Sequence, residues 1–259
     1  MYINKMFSSN ENNIAYINGI TKSSASKFMS IDIKIALVSS GSVLYLDASD
    51  PASYPGTGTT WTDLSGSGNH GTIVSAPTFT TNYFTFDGTA DYVYSTTSFV
   101  NPGPYTVSAL FRTSSASGKN IVTFEGDRTG TVSSSYDRML YMDTAGKIRF
   151  GNYDGNVDTA ISTSTLNDNA WHYVAGTYGG EGTTMRLYVD GVSNATATST
   201  ILQNYLGYWR VGSYKMTSWT LGSDGYFSGD IGVVMVYHRS LSAAEILQNY
   251  QSLTQVYGF

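Results

Sequence analysis

Thr184-Met185-Arg186-Leu187-Tyr188-Val189-Asp190 decides the fold. Met185, Leu187 and Val189 fall on one side of an extended chain, with Arg186, Tyr188 and Asp190 on the other. Side chains alternate between the faces of a strand, so this period of two marks an antiparallel strand with one face on a core. Asp190-Gly191 closes the segment and supplies the positive φ of a tight turn. The same alternation runs through Val107, Ala109 and Phe111 against Thr106, Ser108 and Leu110. Further strands are expected at Val43 to Asp47, Tyr83 to Phe86, Tyr92 to Ser95, Asn120 to Phe124, Arg138 to Met142, Lys147 to Gly151, Trp171 to Tyr178, Trp209 to Gly212 and Ile231 to His238. Asp-Gly pairs at 87–88, 154–155 and 224–225 add turns. Many short strands with turns between them predict an all-β sandwich, and the lack of an exact internal repeat argues against a propeller or solenoid.

One helix interrupts the pattern. Ser242-Ala243-Ala244-Glu245 has capping-box spacing ahead of Ile246, Leu247 and Tyr250, which predicts a short C-terminal helix covering an edge or end of the sandwich. The alternative is a helix presented to a partner.

Composition narrows the function. The 259 residues hold 14 Lys+Arg and 19 Asp+Glu, a net charge of -5, and charged residues are 13% of the chain against roughly 25% in an average soluble domain. Aromatics reach 14%, with 21 Tyr, so the chain has the payload for a packed core and is not disordered. No basic run is present to neutralise phosphates, which argues against nucleic acid. The longest apolar candidate, Ile31 to Val38, contains Asp32 and Lys34 and is too short to span a membrane. Cysteine is absent, which removes disulfides and thiolate chemistry. The first ten residues lack the pattern of a Sec-type signal. Residues 1–40 contain polar patches at Ser8 to Asn13 and Ser23 to Lys27 and read as an arm or locally packed extension, with the sandwich over residues 41–259.

Three segments carry a resemblance. They are Trp61 to Thr72 followed by Phe86 to Val93; Ala170 to Tyr178 leading into Met185 to Gly191; and Gly229 to Ile246. In this order they resemble the laminin-G-like, concanavalin A-like jelly-roll family, especially bacterial and phage members. The resemblance implies an antiparallel jelly-roll of two curved sheets over roughly residues 41–255. By alternation alone, Trp171, Tyr173 and Ala175 share one face of a strand and are expected to fill the core, with His172 on the opposite face, at the surface or in a groove. The resemblance also implies Ca²⁺ in rim loops, with Asp63, Asn69, Asp87 and Asp91 as candidate ligands, since calcium takes six to eight oxygens. Asp63 and Asp87 have a competing role as turn caps.

Glycanases of this fold carry a Glu-x-Asp-x-x-Glu strand. Here Glu125-Gly126-Asp127-Arg128-Thr129-Gly130 places glycine where the proton donor belongs. Neither an alternating glutamate pair nor a Gly-x-Ser-x-Gly elbow occurs, and His70, His172 and His238 have no Ser and Asp partners by spacing. A non-catalytic protein is expected, with a glycoside hydrolase the weaker alternative.

A sugar site needs an aromatic platform and a few fixed polar groups. Tyr205 to Tyr226 holds Tyr205, Tyr208, Trp209, Tyr214, Trp219 and Tyr226 among Gly, Ser and Thr. Trp219 is expected as an exposed platform flanked by Tyr208, Tyr214 and Tyr226, and Trp209 as core. The competing reading packs these rings against the helix or a neighbouring subunit. The expectation is a carbohydrate-binding or adhesion module for a cell-surface or extracellular glycan. The resemblance of the ending, Asn249 to Phe259, to phage-borne members implies display on a virion surface, as a capsid decoration or tail-associated protein attached through residues 1–40. The alternative is a purely structural virion or assembly protein.

Overall fold

The computed structural model describes residues 34–180 and 182–259. In chain order the strands are β1 (Ser42–Asp47), β2 (Thr60–Trp61), β3 (Gly71–Val74), β4 (Thr78–Thr80), β5 (Tyr83–Asp87), β6 (Tyr92–Ser95), β7 (Phe99–Val100), β8 (Tyr105–Arg112), β9 (Asn120–Glu125), β10 (Tyr136–Met142), β11 (Lys147–Tyr153), β12 (Val157–Thr165), β13 (His172–Tyr178), β14 (Thr184–Val189), β15 (Val192–Thr198), β16 (Leu206–Val211) and β17 (Ser228–Tyr237). One helix, α1 (Ala243–Tyr257), follows. Two antiparallel sheets form the expected sandwich. One runs β15-β14-β13-β8-β17-β5-β4 with β1 also on β17; the other runs β12-β11-β10-β9-β16-β6-β3-β2 with β7 also on β16. Glycines 88, 155, 191 and 225 of the four Asp-Gly pairs all have positive φ.

The interior between the sheets is aromatic and aliphatic. Trp61, Phe84, Phe111, Phe124, Phe150 and Trp209 meet Val107, Ala109, Val122, Leu140, Met185 and Leu187 there. The expected face of β14 therefore points inward, and Trp209 is core. On β13 the expected face of Trp171, Tyr173 and Ala175 is indeed buried, but in a second core on the outer side of the sheet, while Val174 joins the interior between the sheets. Central strands β8, β13 and β17 are buried on both faces, so alternation could not say which face was the inner one.

The second face lies beneath α1. Ile246 and Leu253 pack on Leu110, Tyr173, Ala175, Tyr188, Val233, Met235 and Tyr237, so the helix covers the outer face of the eight-stranded sheet rather than an edge or end. Its capping box is formed, with Ser242 accepting from the Glu245 amide and Glu245 accepting from the Ser242 amide, and Gly258 closes it in the left-handed region.

The domain begins earlier than expected. Residues 35–259 form one compact unit. Val38 donates its amide to Asn249 Oδ1 at 2.8 Å, Tyr237 donates to the Val38 carbonyl at 2.9 Å, and Gln248 donates to the Ala36 carbonyl at 2.8 Å. Residues 35–40 thus belong to the sandwich and its helix, not to an arm. The remainder of the expected arm, up to residue 33, lies outside the described residues, as does Glu181.

Candidate functional site

The segment from Ser213 to Tyr226, between β16 and β17, packs on the outer face of the nine-stranded sheet through Met216 and Trp219, and Phe227 then returns to the interior. Asp224 gathers it, accepting from the Met216 amide at 2.7 Å, the Thr217 hydroxyl at 2.8 Å and Lys215 Nζ at 3.1 Å. Burial would raise the Asp224 carboxyl, but these donors hold it below the ordinary value. The sheet contributes further ties: Tyr136 donates to the Thr217 carbonyl at 2.8 Å, Tyr141 to the Thr220 carbonyl at 2.9 Å, Asn120 to the Lys215 carbonyl at 2.7 Å and Lys119 to the Asp224 carbonyl at 2.6 Å.

These ties correct the expectation for Trp219. It is 5% exposed and packs with Met139, Tyr141 and Met216 instead of standing free. Its ring lies against the backbone of Gly151 on β11, where a Cβ would come within 2.3 Å of Cζ3. Trp219 nevertheless borders a cleft of about 220 Å³, whose other walls are Tyr136, Tyr153, Val157, Ser134, Gln203, Thr217 and Ser218. Tyr136 and Tyr153 are half-buried, so the cleft combines accessible ring surface with hydroxyls and an amide.

On the other side of the segment a tyrosine group crosses β6. Tyr214 meets Tyr226 edge-on at 5.3 Å, Tyr226 stacks on Tyr92 at 6.0 Å, and Tyr92 neighbours Tyr94 at 6.2 Å. Tyr208 on β16 sits opposite Glu125 of β9, which sits opposite Tyr136 of β10, so these three share the outer face. The structure therefore brings Tyr214 and Tyr226 into contact and places Tyr208 and Trp219 on the same face. The sequence reading missed Tyr92, Tyr94, Tyr136 and Tyr153, whose common face follows only from the register between distant strands.

Beneath the tyrosines lies a buried ion pair. Arg210 Nη1 is 2.7 Å from Glu125 Oε2, Ser213 donates to Glu125 Oε1 at 2.6 Å, and the Arg210 guanidinium stands 4.8 Å from the centre of the Tyr92 ring. Burial raises the Glu125 carboxyl, and Arg210 and Ser213 offset part of that rise. Both oxygens of the one glutamate in the glycanase-like stretch are thus committed inside the protein.

The four candidate calcium ligands form two separate turn braces. Asp63 Oδ1 accepts from the Tyr45 and Ser65 amides, and Oδ2 from the Ser65 hydroxyl and the Asn69 amide, at 2.8 to 2.9 Å. Asn69 donates to the Val43 carbonyl at 2.7 Å. Asp87 accepts from the Thr89 hydroxyl and amide and is lowered to about 2 by them, while Asp91 accepts from the Asp87 amide at 3.0 Å. Carboxylates this engaged with N–H and O–H donors offer few lone pairs to a hard cation, and among the described residues no group of three or more His, Cys, Asp or Glu converges. Asp63 and Asp87 thus serve as turn braces, the competing role that their turns offered.

His172 has partners that spacing did not reveal. Nδ1 is 2.9 Å from Asp190 Oδ2 and Nε2 is 3.1 Å from Asp168 Oδ1. Asp190 also accepts from the Tyr173 amide at 3.0 Å, which makes the trio a brace for the β14–β15 hairpin.

A larger cavity, of about 520 Å³, lies between the start of α1 and the outer face of β13, β14 and β15. Thr177, Thr184, Ser193, Ser240 and Ser242 line it with hydroxyls, and its one aromatic residue, Tyr188, is 4% exposed. It lacks the accessible ring surface of the smaller cleft.

The family model described as the concanavalin A-like lectin/glucanases superfamily matches residues 87–247, more than half of the chain, and the protein belongs to that superfamily. No curated protein matches this sequence. Among solved structures, Trypanosoma rangeli sialidase with 2,3-difluoro-KDN superposes with a TM-score of 0.62 at 14% identity, covering 85% of this chain and 34% of the sialidase. An HCR/D mutant gives a TM-score of 0.56 at 16% identity, with 83% and 53% covered. The CBM40 of Ruminococcus gnavus IT-sialidase, bound to α2,3-sialyllactose, gives 0.46 at 16% identity, with 64% and 95% covered. The chain spans about a third of the length of the sialidase chains it resembles. At these identities the likeness is one of fold.

Proposed function

We propose that this protein is a non-catalytic carbohydrate-binding module whose site is the outer face of the nine-stranded sheet, centred on the cleft of Tyr136, Tyr153 and Trp219. The cleft itself carries the reading. A pyranose presents one apolar C–H face and a rim of hydroxyls, and the cleft sets ring faces beside Ser134, Gln203 and Thr217. At about 220 Å³ it lies below the roughly 300–1,000 Å³ of pockets for drug-sized ligands, a size suited to one sugar ring with the rest of a chain running over the sheet. The 213–226 segment is tied before any ligand arrives, which limits the ordering cost of binding. Membership of a lectin/glucanase superfamily supports the same reading. Display on a virion surface through residues 1–40 is a separate proposal, tested by whether deleting the part of them that precedes the compact unit, residues 1–34, detaches the domain from a particle.

The test is a glycan array followed by titration of the best oligosaccharide into parent and Tyr153→Ala proteins. Tyr153 is half-buried and touches the cleft, so its loss is expected to weaken binding about tenfold or more with little change in melting temperature. Equal affinity in the variant, or silence of the parent across the array, refutes the site.

A further inference from the structure

Arginine is used sparingly and almost always locked. Arg112, Arg138, Arg149, Arg210 and Arg239 are each paired with a carboxylate, to Asp230, Asp137, Asp143, Glu125 and Glu245 respectively. Arg128 breaks the pattern. Among the described residues no carboxylate lies within ion-pair distance of it, including Asp127 beside it in the chain, and its side chain is exposed. Its guanidinium stands 5.5 Å from the centre of the Tyr94 ring.

The loop that holds Arg128 there is built for the purpose. Buried Arg210 donates Nη2 to the Gly130 carbonyl at 2.9 Å, and the Asp127 amide donates to Ser133 Oγ at 3.3 Å, so the chain on both sides of Arg128 is anchored. The same Arg210 stands on the Tyr92 ring, and Tyr92 stacks with Tyr226. One buried cation thus fixes both the tyrosine group and the loop presenting the unpaired guanidinium at its margin. The register Tyr94–Arg210 across β6 and β16 keeps this group on the face that carries the cleft.

Resting on the glycan-binding reading above, we infer that this face selects sugars bearing a negative charge, a carboxylate or a sulfate, and that Arg128 is the residue that reads it. A planar guanidinium with its donors unpaired matches a carboxylate or sulfate in a fork, and stacking on Tyr94 pre-orients it. A neutral sugar chain passing beside the half-buried Tyr94, Tyr214 and Tyr226 takes ring contact alone; one with an acidic substituent directed toward β6 also takes the charge-assisted bonds.

The experiment titrates the full chain with three probes of similar length: a neutral galacto-oligosaccharide, an oligogalacturonate and a sulfated galacto-oligosaccharide, each at low and high salt. The charged probe that matches is expected to bind about tenfold tighter than the neutral one, and the advantage shrinks as salt rises. Which of the two charged probes is preferred separates carboxylate from sulfate. Arg128→Gln is expected to bring the charged and neutral probes to equal affinity while leaving neutral binding unchanged, and Arg128→Lys to keep part of the preference. Equal binding of all three probes by the parent, or a preference that survives Arg128→Gln, overturns the inference and leaves the glycan reading intact. Failure of all three probes to bind overturns the inference, and the glycan reading falls with it only if the parent is also silent across the array.

Discussion

Gly151→Ala tests the architecture of the cleft with a single methyl group. Gly151 lies in β11 beneath the Trp219 ring, and a Cβ there would sit 2.3 Å from Cζ3 and 3.2 Å from Cε3 and Cη2. The indole has no room to retreat, since Met139, Tyr141 and Met216 pack around it and the 213–226 segment is tied to the sheet by Tyr136, Tyr141, Asn120 and Lys119. Overpacking of this kind costs about 1–3 kcal/mol. For a domain of this size each kcal/mol lowers the melting temperature by roughly 2–4 °C. The control is Gly126→Ala just beyond β9, where the nearest atom to an added Cβ is 3.6 Å away and no positive φ is involved. Urea and thermal unfolding of both variants, with oligosaccharide titration beside them, form the assay. Gly151→Ala is expected to lose the stated stability, shift Trp219 emission and weaken binding, with Gly126→Ala near the parent in all three. Equal stability and equal binding for the two variants would refute the packing of Trp219 on Gly151 and the cleft built from it.

Three further outcomes follow from the same geometry. Burial would lower His172, but hydrogen bonds and charge from Asp190 and Asp168 raise it above its ordinary value; its stabilisation is present below about pH 6.5 and is lost as pH rises through the folded value, so urea stability should fall across that window and the fall should flatten in His172→Gln. His238, lowered by burial, works with the opposite sign, so the difference between parent and variant is the quantity to compare. Asn249→Ala removes a fully buried amide that accepts from Val38 and donates to Tyr237, and leaving the Val38 amide without its partner should cost about 1–3 kcal/mol in chemical unfolding. Millimolar calcium should leave the melting temperature unchanged because Asp63 and Asp87 are occupied by the chain's own donors; a rise of several degrees would contradict that.

Much of the sandwich is legible in the sequence because one-sided burial imprints a period of two. Segments such as Tyr92–Ser95 and Thr184–Val189 emerge at or near their observed bounds for this reason. β12 and β15 were missed: Val157–Thr165 and Val192–Thr198 are edge strands rich in Ser, Thr and Ala, with too little apolar content to show a face. Tyr173 and Ala175 are core residues as their shared face suggests, but the sequence does not show that this core lies under α1, because β13 is buried on both sides, by the second sheet and by α1. Trp219 reads as a loop platform because glycine, serine and threonine surround it. The contacts that lay it flat come from Tyr136 and Tyr141, about eighty residues away in sequence, and from Lys119 and Asn120, about a hundred away, beyond any local pattern. The tyrosine group and Arg128 depend likewise on register between β6, β9 and β16.

A crystal structure of the full chain soaked with the tightest oligosaccharide from the array tests the central claim most directly. A sugar ring seated between Tyr136 and Tyr153 against Trp219, with its chain running toward Tyr208 and Tyr94, is the predicted result. A ligand in the hydroxyl-lined cavity beside the start of α1, with the cleft on the nine-stranded sheet left to water, would contradict it.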